Sequence, residues 1–187
     1  MEWKGGGQAE MGVRRTGGMD RRTLRRLLGG LWLLDGMLQL QPGMWTMNMV
    51  NQTMVQAAGD QPAPLAHLII WGQTVVTAHL VAFNAGVAGI QIVLGLWLLS
   101  GRRPRPALAA SVAWALAVWL FGEGLGDLLT GGALVATGAP GAVVLYAALA
   151  LLAWPADAAG ARPAPVAARA AAGLLAAVWL LGAALDL

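Results

Sequence analysis

The 187-residue chain has no cysteine, which excludes disulfides, thiolate metal sites and thiol nucleophiles. Charge is scarce: 11% of residues are Asp, Glu, Lys or Arg, against about 25% in an ordinary water-exposed domain. Aromatic residues other than tryptophan are few, with one Tyr and two Phe beside nine Trp. There are two histidines, His67 and His79. No HExxH and no close His pair occurs, so haem ligation, a His-based metal motif and a Ser/His/Asp hydrolase find no support. Basic residues are missing from two long stretches, between Arg26 and Arg102 and between Arg105 and Arg162.

What is present is apolar. Hydrophobic residues make up 58% of the chain. The basic residues cluster between apolar segments: Lys4, Arg14, Arg15, Arg21, Arg22, Arg25 and Arg26 before the first, Arg102, Arg103 and Arg105 after the second, Arg162 and Arg169 after the fourth. Such alternation orients multi-pass membrane proteins. The expectation is an all-α polytopic transmembrane bundle of five spans, a four-helix unit plus one, N-in and C-out, in the plasma membrane. Residues 1–23 form a basic cytoplasmic tail, with Met11 and Met19 as alternative starts. The spans fall at about 27–47, 80–99, 107–129, 134–154 and 167–187. The apolar run from Leu65 to Leu99 would reach ~52 Å as one helix, against a hydrocarbon core of ~30 Å. It is therefore divided into an outer interfacial helix over 65–78 and a single crossing. Trp45 and Trp71 then lie near the outer interface, Trp97 and Trp154 near the inner one. Arg21-Arg22-Thr23-Leu24-Arg25 reads either as basic residues holding the first helix inside or as a twin-arginine export signal. The net charge of +3 arises in the tail and two short loops, so nucleic acid is not expected. The expected partners are the lipid bilayer and other membrane subunits or a second copy.

Small residues at four-spacing, such as Ala82/Gly86, Ala85/Gly89, Ala109/Ala113/Ala117 and Gly122/Gly126, suit close helix contacts. The stretch Leu27–Leu40 also aligns with Leu174–Leu187, and Arg22 then meets Arg169. Either the fifth span opens a second copy of the unit, or two leucine-rich helices agree by chance.

The polar residues within apolar segments are the candidate site residues. Helix rise puts Asp35 ~12 Å into the first span and Gln91 ~16 Å from the outer face, with Gln39 one turn from Asp35. These three form an expected middle layer. Glu123, Asp127, Asn84 and His79 form an expected outer layer. Asp35 and Glu123 differ by ~12 Å in depth, too far to pair. The middle layer reads as a helix-locking hydrogen bond, a proton or cation relay, or a ligand contact. The outer layer reads as partly solvated interface or as a small-ligand or metal site opening outward, for which His67, His79, Glu123 and Asp127 are acceptable divalent-ion ligands although their spacing forms no metal motif. The run Trp119–Gly132 sets three alternating glycines beside Glu123 and Asp127. It follows a helix and not a strand, so it is no dinucleotide fingerprint. It suits a pocket floor or a helix stop. No catalytic residue, metal ligand set or cofactor is assigned.

Over Leu27–Pro155 the chain resembles bacterial integral membrane proteins of uncharacterised activity. The residues that carry this are Trp32–Pro42, Phe121–Gly132, Gly138-Ala139-Pro140-Gly141 and Trp154-Pro155. In plan it is distantly similar to the DoxX/DoxD-type family, which implies an accessory role beside quinone-linked sulfur or thiol oxidation. Three functions are thus expected: a non-catalytic accessory or binding subunit of a membrane complex, a proton or small-cation transporter using Asp35 and Glu123, or a small subunit of a quinone-linked oxidoreductase.

Overall fold

Asp20 starts the first helix. Its carboxylate accepts the Thr23 backbone N–H at 2.6 Å, which satisfies one of the free donors of the first turn. That contact holds the Asp20 carboxyl below its usual range. The computed structural model describes residues 19–132 and 139–155. Within these residues the fold is all-α, with six helices. They are α1 (Arg21–Leu38), α2 (Met47–Val50, a π turn Asn51–Val55 and Gln56–Ala58 in continuous succession), α3 (Ala63–Ala78), α4 (Leu80–Ser100), α5 (Pro104–Phe121) and α6 (Ala142–Leu152). Short 3-10 turns occupy Pro42–Trp45 and Gly124–Asp127.

Helix α1 buries Leu24, Leu28, Trp32 and Gly36, a stripe at four-residue spacing that keeps one face on the core. This face lies on α4. A Cβ built on Gly95 would stand 2.8 Å from the Gly29 carbonyl oxygen and 2.6 Å from Leu33 Cγ. Only hydrogen at Gly95 permits so close a crossing. One turn further toward the same end, Arg25 Nε donates to the Leu98 carbonyl at 3.0 Å and fastens the pair. An arginine there satisfies a terminal carbonyl of α4 and complements its negative end. Gly101 then takes a left-handed turn (φ 69°) and Pro104 opens α5.

Two apolar cores result. The larger joins Leu24, Leu28 and Trp32 of α1 to Leu94 and Leu98 of α4, Leu108 and Ala115 of α5, and Val143 and Ala150 of α6. Inside it Trp32 Nε1 donates to Ser111 Oγ at 2.7 Å, both residues fully buried. Tyr146 meets the Trp32 ring edge-on at a centroid distance of 4.8 Å, a favoured aromatic geometry. The smaller core joins Met49, Val50, Met54 and Ala57 of α2 to Ile69 and Val76 of α3, with Phe121 packed against it. Outward faces retain exposed apolar residues, among them Leu34 and Met37 of α1 and Val81, Val93 and Leu96 of α4.

The five-span topology is overturned. Among the described residues two helices, Leu80–Ser100 and Pro104–Phe121, are long and apolar enough to cross a membrane by length and composition. The expected first span, 27–47, ends as a helix at Leu38, because Gln39 to Gly43 supply polar groups, a proline and a glycine. The expected third span, 107–129, stops at Phe121, where the glycine-rich stretch takes left-handed backbone. The expected fourth span is an 11-residue helix in its described part, ~16 Å long against ~30 Å of hydrocarbon. The 65–78 segment is not an interfacial element, since α3 packs Ile69 and Val76 into the second core. With the topology go the N-in/C-out orientation, the multi-pass plasma-membrane location, and the bilayer, membrane subunits or second copy expected as partners. Burial of the apolar residues is intramolecular, in two cores with hydrogen-bonded polar groups between them. The expectations for residues 1–18, the fifth span at 167–187, and the repeat partner Leu174–Leu187 lie outside the described residues.

Candidate functional site

Helices α2, α3, α4 and α5 enclose a cavity of about 410 Å³. Each contributes apolar wall: Met49 and Met54 from α2, Trp71 and Val76 from α3, Phe83 and Val87 from α4, Val118 and Phe121 from α5. Trp71 and Phe83 are also exposed, so the cavity reaches the surface beside them. Three methionines (Met44, Met49 and Met54) line it, and their flexible thioethers let such a wall fit ligands of varied outline. No lining residue is ionisable.

Five lining side chains carry polar groups other than sulfur: Gln39, Thr53, Trp71, Gln91 and Trp114; Trp71 is exposed to solvent, which leaves four to account for. Two are satisfied within the fold. Gln39 Nε2 donates to Asn84 Oδ1, and Asn84 Nδ2 donates back to the Gln39 carbonyl at 3.0 Å. Thr53 Oγ1 donates to the Met49 carbonyl at 2.6 Å, the usual bond of a helical threonine to the preceding turn. The other two are not. Gln91 is 7% exposed, and its Oε1 is buried without a hydrogen-bond partner. Trp114 Nε1 is buried and likewise unpartnered. Buried polar groups in folded proteins are nearly always paired, so each exception calls for a physical reason. Three further described atoms share this state, Arg21 Nε, Gln61 Oε1 and Glu123 Oε2, none of them on a lining residue, and Gln91 Oε1 and Trp114 Nε1 are themselves closed to the water-sized space of the cavity.

The expected layers do not assemble as such. Gln39 and Asn84, placed at different depths by helix rise, pair directly because α1 and α4 cross closely. The Asp35 carbonyl accepts the Gln39 backbone N–H at 2.8 Å, but its carboxylate turns to α6, where it accepts a hydrogen bond from Tyr146 Oη at 3.2 Å. Burial pushes the Asp35 carboxyl up, and the Tyr146 bond opposes that. Burial also raises the Glu123 carboxyl, which the backbone N–H groups of Val143 and Ala142 partly offset. The negative charge of Asp35 adds to the rise at Glu123, so the two carboxyls sense each other through the fold, nearer than their spacing along separate spans implied. Glu123 Oε2 abuts Gly141, where a Cβ would lie 2.1 Å away. Asp127 is not one helical turn from Glu123, because Gly124, Leu125, Gly126 and Asp127 all have positive φ. Gly126 is required there: a Cβ would stand 2.3 Å from the Pro140 carbonyl oxygen. His79, the hinge between α3 and α4, and His67 are exposed.

Sequence reasoning named Gln91 and Gln39 but missed Trp114, which stands in an alanine-rich helix, and the apolar walls. Single-sequence periodicity offers no signal for a cavity shared by four helices. Among the described residues no group of three or more His, Asp or Glu could hold a metal. That absence, with only two membrane-length helices among the described residues, overturns the reading of Asp35 and Glu123 as a transport pair. No family model, curated protein or solved structure matches the chain. The resemblance to DoxX/DoxD-type and other multi-pass membrane proteins is corrected accordingly, and the accessory-subunit and quinone-linked readings built on it fall with it.

Proposed function

We propose that the chain is a binding protein for a small, largely apolar molecule held in the α2–α3–α4–α5 cavity. The observation that carries this reading is the half-open apolar hollow of about 410 Å³, walled by side chains from four helices and free of ionisable groups. Small-molecule sites have this character: concave, mostly apolar, with few polar groups that fix orientation. At ~30 Å³ per water in the liquid, the hollow corresponds to roughly 14 water-sized positions, which matches a ligand of up to three fused or linked rings. The absence of ionisable lining residues disfavours charged ligands, since a buried unpaired charge is costly. Asn84, Gln39 and Asp35 hold α1 to its neighbours and support the site without entering it as catalysts.

A fluorescence titration with aminoanthracene, a neutral apolar reporter, tests the proposal. Saturable one-to-one binding is expected, lost in Ala117→Phe, where a ring grows into the cavity from α5 while far-UV circular dichroism stays helical. Absence of saturable binding, or equal binding by Ala117→Phe, defeats it.

A further inference from the structure

The cavity wall is built from an unusual part of the chain's apolar stock. Resting on the binding reading above, we infer that the ligand is a flat, neutral aromatic molecule of two or three fused rings, and not a saturated ring system or an alkyl chain. The argument starts from a residue type the wall avoids. The chain has 32 leucines, yet among the described residues no leucine and no isoleucine lines the cavity. Leucine serves the main core instead, at Leu24, Leu28, Leu94, Leu98 and Leu108. Both phenylalanines of the chain, Phe83 and Phe121, lie on the cavity wall. So do Trp71 and three of the eight methionines, Met44, Met49 and Met54.

That choice matters chemically. Burial against aliphatic carbon is non-directional and scales with area, so a leucine wall takes a chain, a puckered ring and a flat ring alike. An aromatic ring adds a quadrupole, which favours offset or edge-on contact with a second ring beyond the area buried. A thioether sulfur likewise favours the edge of a ring. A saturated ligand collects neither gain. These groups line the hollow from its open side to its inner side. Trp71 and Phe83 are exposed, whereas Met49 and Met54 are 8% and 5% exposed and belong to the second core, with Phe121 packed against it. Phe121 fits there because α3 has glycine opposite: a Cβ on Gly72 would stand 3.0 Å from Phe121 Cδ1 and 3.4 Å from the Met54 methyl. The wall carries no ionisable group, so a ring bearing a charge is disfavoured.

The test is competition against aminoanthracene by three hydrocarbons of equal carbon number: naphthalene (flat, aromatic), trans-decalin (the same skeleton, saturated) and decane (an open chain). Each Kd is corrected for the compound's own partitioning from water into hexadecane, which removes ordinary hydrophobicity. The quantity read is the corrected ratio of the decalin Kd to the naphthalene Kd. In the unaltered protein it is expected to be about ten, with decane no tighter than decalin. The double variant Met49→Leu/Met54→Leu removes two sulfurs at nearly constant volume, and the ratio is expected to fall about threefold. Phe121→Leu is expected to lower it by a similar factor. Where the double variant binds neither ring compound, the two single methionine variants are read in its place. A corrected ratio near one in the unaltered protein, decane as tight as naphthalene, or a ratio unchanged in both the methionine and the phenylalanine variants overturns the inference and leaves the apolar binding reading in place. Failure of all three compounds to displace the reporter defeats the binding reading itself.

Discussion

Replacing Gln91 by Leu is expected to stabilise the ligand-free protein. Most substitutions at buried positions cost stability, so the sign is diagnostic. Gln91 lies on α4 at 7% exposure and makes no hydrogen bond among the described residues, with Oε1 sealed from water. A buried acceptor left unsatisfied costs about 1–3 kcal/mol. Leucine is close in volume, has good helix propensity, and presents only carbon to a wall that is otherwise carbon and sulfur. Its own rotamer loss is at most that of Gln. The net gain is therefore about 1–2 kcal/mol, a rise in Tm of about 2–8 °C for a chain of this length. Thermal unfolding followed by circular dichroism at 222 nm, a standard helical band, measures it, with urea titration as the check that the slope is unchanged. Destabilisation by more than about 1 kcal/mol would refute the reasoning, since it would mean the amide is satisfied in the free protein.

Ser111→Ala leaves the Trp32 indole N–H unpaired in the main core and is expected to cost about 1–3 kcal/mol, read as a lower urea midpoint. Gly95→Ala forces α1 from α4, because its Cβ meets the Gly29 carbonyl and Leu33, and is expected to cost about 1–3 kcal/mol, with Gly86→Ala on the same helix, where a Cβ meets nothing within 4 Å, as the near-neutral control. The Asp35 and Glu123 carboxyls are both raised by burial. A raised carboxyl binds its proton more tightly folded than unfolded, so its stabilising effect is full below the unfolded value and is lost as pH rises through the folded value. Stability is thus expected to fall as pH rises from about 4 through the folded values. Asp35→Asn, which keeps an acceptor for Tyr146, is expected to flatten that slope; an identical slope in urea midpoints between pH 4 and pH 8 would contradict it.

Helical content was legible in the sequence, because long apolar segments bounded by Pro, Gly and charge leave little else. The number of crossings was not. Overall hydropathy does not separate an apolar residue that faces another helix, such as Leu28 or Ile69, from one that faces outward, such as Val93. The stop at Phe121 was open to two readings, since Gly122-Glu123-Gly124-Leu125-Gly126 suits both a packed helix and a left-handed turn. Only the neighbours of Gly126, above all Pro140, decide between them. Depth arithmetic failed for Asn84 and Gln39 for a related reason: it fixes height along one helix, while the crossing of α1 and α4 sets which heights meet. The cavity was illegible because its walls come from four helices, with Met49 and Val118 nearly seventy positions apart.

The most direct measurement is a crystal structure of the chain soaked with a brominated para-alkylphenol, with anomalous scattering used to locate the bromine. The account predicts a bromine peak inside the cavity near Met49, Met54 or Phe121. A cavity left empty at saturating compound would contradict it.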